Sequence, residues 1–232
     1  MLLRSFEGLV YPKYCLFCKD IVEEDYVCSD CLSNLQFIDE EQWIVCGDIN
    51  DPYHQFKGCH HKLKHIPWSY RAAAFHYTGE VKKMVQELKF NSATQYLPFA
   101  GRAMAKRLTQ GSVPKFDFIV PVPLHIAREI NRSYNQAYLL AEELSSNTDV
   151  PLVNALRRSK YTKPQSNLMK QQRQSNLDGV FKVFPTFVNR LKGKRVLVID
   201  DVCTSGATLR ACCKTMLENG VGQCGVLTLA QR

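Results

Sequence analysis

The sequence predicts an α/β fold: a parallel sheet flanked by helices, preceded by a small cysteine-rich module. Three observations carry this expectation. From residue 68 onward, short apolar runs alternate with segments of helical period, the pattern of a doubly wound sheet. Val196-Leu-Val-Ile199 is a continuous apolar run between Lys194-Arg195 and Asp200-Asp201, as in a central strand covered by helices on both faces. Six of the ten cysteines fall in the first 59 residues. The expected division is a module over 1–66 and an α/β domain over 67–232.

The elements follow in order. Trp68 to Tyr77, rich in aromatics and alanine, is read as a strand entering the body. Gly79 to Phe90 places Val81, Met84, Val85 and Leu88 at helical spacing, and Leu97 to Leu108 gives a second helix. Phe116 to Leu124 holds a short buried strand ending in prolines. Asn135 to Leu144 aligns Ala137, Leu140, Ala141 and Leu144 on one helical face. Leu209 to Asn219 is a helix stopped by Gly220, and Val226 to Leu229 is a final strand.

Composition excludes several classes. With 45% hydrophobic residues the chain is not disordered. No apolar run approaches the roughly 20 residues of a membrane span. Glu7 and Lys13 interrupt any signal-peptide core, so a soluble, cytoplasmic chain is expected. The net charge of +8 is split: residues 1–62 carry 5 Lys and Arg against 11 Asp and Glu, the remainder 25 against 11. A basic body under an acidic head suits a polyanionic partner, nucleic acid or phosphorylated ligand.

In a reducing compartment, clustered cysteines point to metal. Cys15-Leu-Phe-Cys18 and Cys28-Ser-Asp-Cys31 supply four thiolates, the closed donor set of structural zinc. Cys46 and Cys59 are either half of a second site, with His54, His60 or His61, or packing and surface groups. Cys203, Cys212, Cys213 and Cys224 are read as small buried residues.

The chemistry concentrates at 196–209. A buried strand delivers Asp200 and Asp201 to its carboxyl end, where ligands of open α/β sheets bind. The backbone N–H groups of Thr204 to Thr208 then open a helix, suited to a phosphate. Thr204, Ser205 and Thr208 add hydroxyls, and Gly206 permits close approach of the backbone. The carboxylates would repel a phosphate. They suit sugar hydroxyls, or a magnesium ion bridging to a second phosphate. Together these groups describe a site for a ribose 5-phosphate.

Val198-Ile-Asp-Asp-Val-Cys-Thr-Ser-Gly-Ala-Thr208 resembles the phosphoribosyl pyrophosphate (PRPP) signature of type I phosphoribosyltransferases without a gap. The whole chain, from about Cys15 to Leu229, resembles the ComF family of ComFC-type competence proteins. Pro121-Val-Pro-Leu-His125, Arg128, Arg132 and Asn135-Gln136 match one block of that family, with Ser133-Tyr134 in place of its Gly-Phe. Arg158, Thr162, Gln165, Leu168, Arg173, Asn176 and Gly179 match the next. The family's second pair of C-x-x-C motifs is reduced here to Cys46 and Cys59.

The resemblance implies that Asp200 and Asp201 are catalytic, contacting ribose hydroxyls or magnesium. It implies that Thr204, Ser205, Gly206, Ala207 and Thr208 hold the 5-phosphate, and that Arg128 and Arg132 lie near pyrophosphate. It further implies a role in natural transformation, single-stranded DNA as a partner, and a helicase-like ATPase of the ComFA type.

Residues 150–177 contain Arg157, Arg158, Lys160, Lys163, Lys170 and Arg173, with no acid. Tyr161 lies among them, so the stretch offers cations to a nucleic-acid backbone and a ring to a base. Gly220 to Gly225 spells G-x-G-x-x-G, but it follows a helix and precedes a strand, the reverse of the dinucleotide-binding context. No G-x-x-x-x-G-K-[ST] is present, so any motor is a partner. Two functions are therefore expected: a DNA-uptake factor, or a phosphoribosyltransferase using PRPP and magnesium with an unidentified acceptor.

Overall fold

The computed structural model describes residues 13–22, 26–38, 66–109, 113–124, 134–159 and 179–232. The module contributes β1 (Lys13–Tyr14), β2 (Ile21–Val22) and α1 (Ser29–Asn34). Then follow β3 (Tyr70–His76), α2 (Gly79–Phe90), a 3-10 turn (Thr94–Tyr96), α3 (Leu97–Thr109), β4 (Phe118–Pro121) and α4 (Gln136–Ser146). The chain continues with β5 (Leu156–Arg158), β6 (Phe181–Val183), α5 (Pro185–Leu191), β7 (Arg195–Cys203), α6 (Ala207–Glu218) and β8 (Gln223–Gln231).

β3, β8, β7 and β4 lie side by side in that order, every neighbouring pair parallel. Parallel strands need long crossovers, which the helices supply. In β7, Leu197 and Ile199 face a core shared with α2, α3 and α4. Val196 and Val198 face the opposite core, with α6 and the β5–β6 ribbon. The two-residue period of a strand explains why all four are apolar and inaccessible to solvent.

β7 runs to Cys203, four residues past the apolar run, so both acids lie on the strand. The antiparallel pair β5–β6 and helix α5 have no counterpart among the expected elements. Three-residue strands are too short to carry a readable alternation.

Helices α3 and α4 approach closely at Gly101. A Cβ there would meet the Cβ of Glu143 at 2.5 Å. Alanine is intrinsically a better helix former than glycine by about 1 kcal/mol. Gly101→Ala is nevertheless expected to destabilise by about 1–3 kcal/mol through overpacking, read as a lowered Tm in calorimetry.

The cysteine module sits on the edge of the sheet. Ile38 N–H donates to the carbonyl of Ala74 at 3.2 Å, and His76 N–H donates to that of Gln36 at 2.9 Å. Phe37 packs on Phe75 with ring centroids 4.7 Å apart. Tyr96 Oη donates to the carbonyl of Leu16, and Phe17 contacts Tyr96 and Phe99. Cys15, Leu16, Val27 and Leu35 are buried in the same core as α2 and α3.

Candidate functional site

β7 continues into α6 and pairs with β8 on one side, whereas β4 lies on its other side. The carboxyl ends of β4 and β7 therefore flank a point where the strand order reverses, the usual crevice for ligands in this architecture. Val122 N–H donates to the carbonyl of Ile199 at 2.9 Å, which sets the end of β4 beside the acids.

Asp200 Oδ1 accepts the backbone N–H of Asp201 at 2.9 Å. Burial pushes the Asp200 carboxyl up to about 7, the Asp201 charge adds to the rise, and Lys89 opposes it. Asp200 is half-buried, so part of the residue meets solvent. Asp201 is held by Lys89, whose Nζ lies 2.9 Å from Oδ2. Lys89 comes from the end of α2, 112 positions away in the chain, and no local pattern singled it out.

The acids offer the hard oxygen donors that magnesium takes. As arranged, Asp201 Oδ2 is engaged by an ammonium group and Asp200 Oδ1 by an amide. One oxygen of each carboxylate is thus taken, and the ammonium beside Asp201 repels a second cation, so the pair does not fit an open seat for a free magnesium ion.

Beyond β7 the chain turns at Gly206, whose φ of +68° lies in the left-handed region that favours glycine. Thr204 and Ser205 are exposed, while Gly206, Ala207 and Thr208 are half-buried at the start of α6. Ser205 Oγ accepts the Ala207 N–H at 3.4 Å. The 12-residue α6 directs its N-terminal N–H groups toward the same end of the sheet as Asp200. Trp68 lies under the turn, 3.6 Å from the position of a Cβ at Gly206, and Arg210 stacks over its ring. Arg71 donates to Cys203 Sγ at 3.4 Å. Trp68, Arg71 and Arg210 support the loop from outside its motif, which is why the motif alone did not reveal them.

Cys203, Cys212, Cys213 and Cys224 are buried. Burial raises the thiols of Cys203, Cys212 and Cys213, so they remain protonated and unreactive at neutral pH.

Of the cations expected near a polyanion, Arg157 and Arg158 lie on β5. Arg157 is exposed, stacks over Phe184 and stands opposite exposed Lys182 of β6. Arg158 is half-buried over Phe181. Lys182 also borders a cleft of ≈ 420 Å³ between β6 and the outer side of α6, lined further by Ala211, Lys214 and Thr215. Arg128, Arg132, Lys160, Lys163 and Arg173 lie outside the described residues, as do Cys46 and Cys59.

The four module cysteines converge. Their Sγ atoms all lie within 4.8 Å of one another. Tetrahedral zinc with bonds of about 2.3 Å requires sulfurs about 3.8 Å apart, and Cys18 and Cys28 stand at 3.6 Å. Cys28 caps α1, its sulfur accepting from Cys31 N–H at 3.4 Å, and Cys15 Sγ accepts from Cys28 N–H at 3.4 Å. Burial raises the Cys15 thiol, but the amides of Cys28, Cys18 and Phe17 outweigh it and bring the group to about 6. Burial and the neighbouring Cys28 push Cys31 up to about 11. Without a cation the cluster resists full ionisation, and a divalent metal removes that conflict. The donor set and its geometry support structural zinc.

Fold and cysteine cluster together define the class: a type I phosphoribosyltransferase-like domain carrying an N-terminal zinc module. A phosphoribosyl transferase domain matches residues 131–232, and a double zinc ribbon domain matches residues 7–63. The chain is a homologue of the ComF-type competence proteins. It is 29% identical to competence protein F of Haemophilus influenzae, over 94% of this chain and 96% of that one. It is 25% identical to competence protein ComFC of Bacillus subtilis, over 92% of each. It is 26% identical to the DNA utilization protein YhgH of Escherichia coli K12, over 96% of this chain and 99% of that one. Among solved structures, the adenine phosphoribosyltransferase of Thermoanaerobacter pseudethanolicus is 17% identical, with a TM-score of 0.39 over 62% of this chain and 84% of that one. Among the described residues no helix is long and apolar enough to cross a membrane.

Proposed function

We propose that this protein handles single-stranded DNA during natural transformation or DNA utilization, in the cytoplasm. Its relatives along nearly the whole chain bear competence and DNA-utilization names. The observation that carries the reading is the β5–β6 ribbon. Exposed Arg157 and Lys182 stand directly opposite each other across it. Like charges in that position repel and cost stability in the free protein. A phosphate backbone relieves the repulsion. In sequence, the ribbon's two strands bracket a segment that adds Lys160, Lys163 and Arg173 as cations and Tyr161 as an aromatic side chain of the kind that stacks on bases. A helicase-like ATPase of the ComFA type supplies the motor, and the zinc module, seated on the sheet edge, organises the surface it meets.

Arg157→Glu with Lys182→Glu tests this. The double variant is expected to bind a single-stranded oligonucleotide at least about tenfold more weakly. Its slope of log affinity against log salt should be shallower by about 1.4, for two lost phosphate contacts. Unchanged affinity and slope in fluorescence anisotropy refute the assignment.

A second reading is favoured by the carboxyl end of the sheet. There Asp200 and Asp201 take the ribose hydroxyls of PRPP, and Thr204 to Thr208 take its 5-phosphate. Arg128 and Arg132 meet the pyrophosphate, and magnesium arrives on PRPP itself. Transfer to an acceptor would rest on positioning and on stabilising developing charge. The two readings coexist in a DNA-binding protein regulated by a phosphorylated sugar.

A further inference from the structure

The end of α2 is clamped, and the clamp fixes a charge. Leu88 lies in the last turn, where carbonyls lack a helical partner. Its carbonyl accepts from Tyr134 Oη and from Nε2 of buried Gln136, the latter at 3.4 Å. Between them, Asn135 Nδ2 donates to the carbonyl of Val122 at 3.0 Å, while its Oδ1 caps α4. Three consecutive side chains thus tie α2 to the end of β4. The next residue of α2 is Lys89, which reaches Asp201 with its side chain 23% exposed and that of Asp201 14% exposed.

We infer that Lys89 is a built-in cation of the acid pair, which neutralises Asp201 and excludes free divalent metal from Asp200 and Asp201. The inference deepens the reading of these acids as a ligand site and rests on it. A lysine ammonium is a compact point charge with three donors. Held 2.9 Å from a carboxylate and largely shielded from water, it interacts far more strongly than an exposed pair. A magnesium-like ion binds through carboxylate oxygens, so at this pair it must compete with the ammonium group and meet its repulsion. The acids then meet a neutral sugar hydroxyl at low net charge, and magnesium comes only with a pyrophosphate ligand. Tyr134, Asn135 and Gln136 are positioning residues for Lys89.

The test is manganese titration of the zinc-loaded full chain with no nucleotide present, followed by paramagnetic resonance. Lys89→Met is expected to bind manganese at least about tenfold more tightly than wild type. Lys89→Gln provides a second neutral variant should the first fold poorly. Lys89→Arg keeps the charge and should bind no more tightly than wild type. Adding Asp200→Asn and Asp201→Asn to Lys89→Met should abolish the gain and so place it at the pair. The inference is overturned if both neutral variants bind manganese no better than wild type, or if Lys89→Arg gains as much as they do. Titration with PRPP is a separate arm. Its failure counts against the sugar-phosphate reading and leaves the manganese result standing.

Discussion

Replacing Cys15 or Cys28 with serine is expected to strip the metal and to lower the Tm of the entire protein by roughly 10 °C. The magnitude follows from coupling. Loss of a structural metal in a small module costs several kcal/mol. At this chain length each kcal/mol moves Tm by about 2–4 °C. The loss spreads beyond the module because Cys15, Leu16, Val27 and Leu35 belong to the core of the sheet. It also uncovers an edge. The backbone bonds from Ile38 and His76 join the module to β3, and an open strand edge invites pairing with another chain. Metal analysis, calorimetry and light scattering on the same samples check this. Zinc loss, a single lowered transition and increased association are expected together. A serine variant that loses zinc yet keeps wild-type Tm and associates no more than wild type contradicts this expectation.

Asp200→Asn is expected to stabilise the protein at pH 8 while damaging its site. The Asp200 carboxyl rises from 3.8 to about 7 on folding. The protonated form is thus favoured in the folded state. The stability this contributes is fully present below about pH 4 and is lost as pH rises through 7. Asparagine carries no such charge. Its advantage over aspartate should be small at pH 5 and reach about 1–3 kcal/mol at pH 8, a discounted figure because part of the residue meets solvent. Paired melts at the two pH values read this directly. The double variant Asp200→Asn with Asp201→Asn should in addition abolish PRPP binding in calorimetry with the fold intact. A variant that is less stable than wild type at pH 8 contradicts the electrostatic account, and retained PRPP binding contradicts the role of the acids. Stability relinquished at a carboxylate is the expected signature of a functional position.

The strands and helices of the body were legible where periodicity is strong. Helix α2 spans Gly79–Phe90, the same limits that Val81, Met84, Val85 and Leu88 mark out in sequence. The acids and the hydroxyl loop were legible because they are contiguous, and contiguity is what a linear motif records. Lys89, Arg71 and Trp68 reach the site from elsewhere in the chain through long-range packing, which leaves no local signal, and Arg210 lies on α6 just past the motif. The bonds from Gln136 to α2 and from Asn135 to Val122 were equally hidden, although both residues stood out as family matches. Cys15-x-x-Cys18 and Cys28-x-x-Cys31 announced a metal. Their seating on the β3 edge did not follow from spacing, since it depends on two backbone bonds and on the Phe37–Phe75 contact. The β5–β6 ribbon escaped because three residues per strand carry too little pattern, yet it gives Arg157 and Lys182 their shared face.

The most direct test of the central claim is binding of the zinc-loaded protein to one oligonucleotide, single-stranded and as a duplex, over a series of salt concentrations. Tighter binding to the single strand is expected, with log affinity falling linearly in log salt. The slope should be about −3 for four neutralised phosphates. No binding at low salt, or an affinity indifferent to salt, contradicts it.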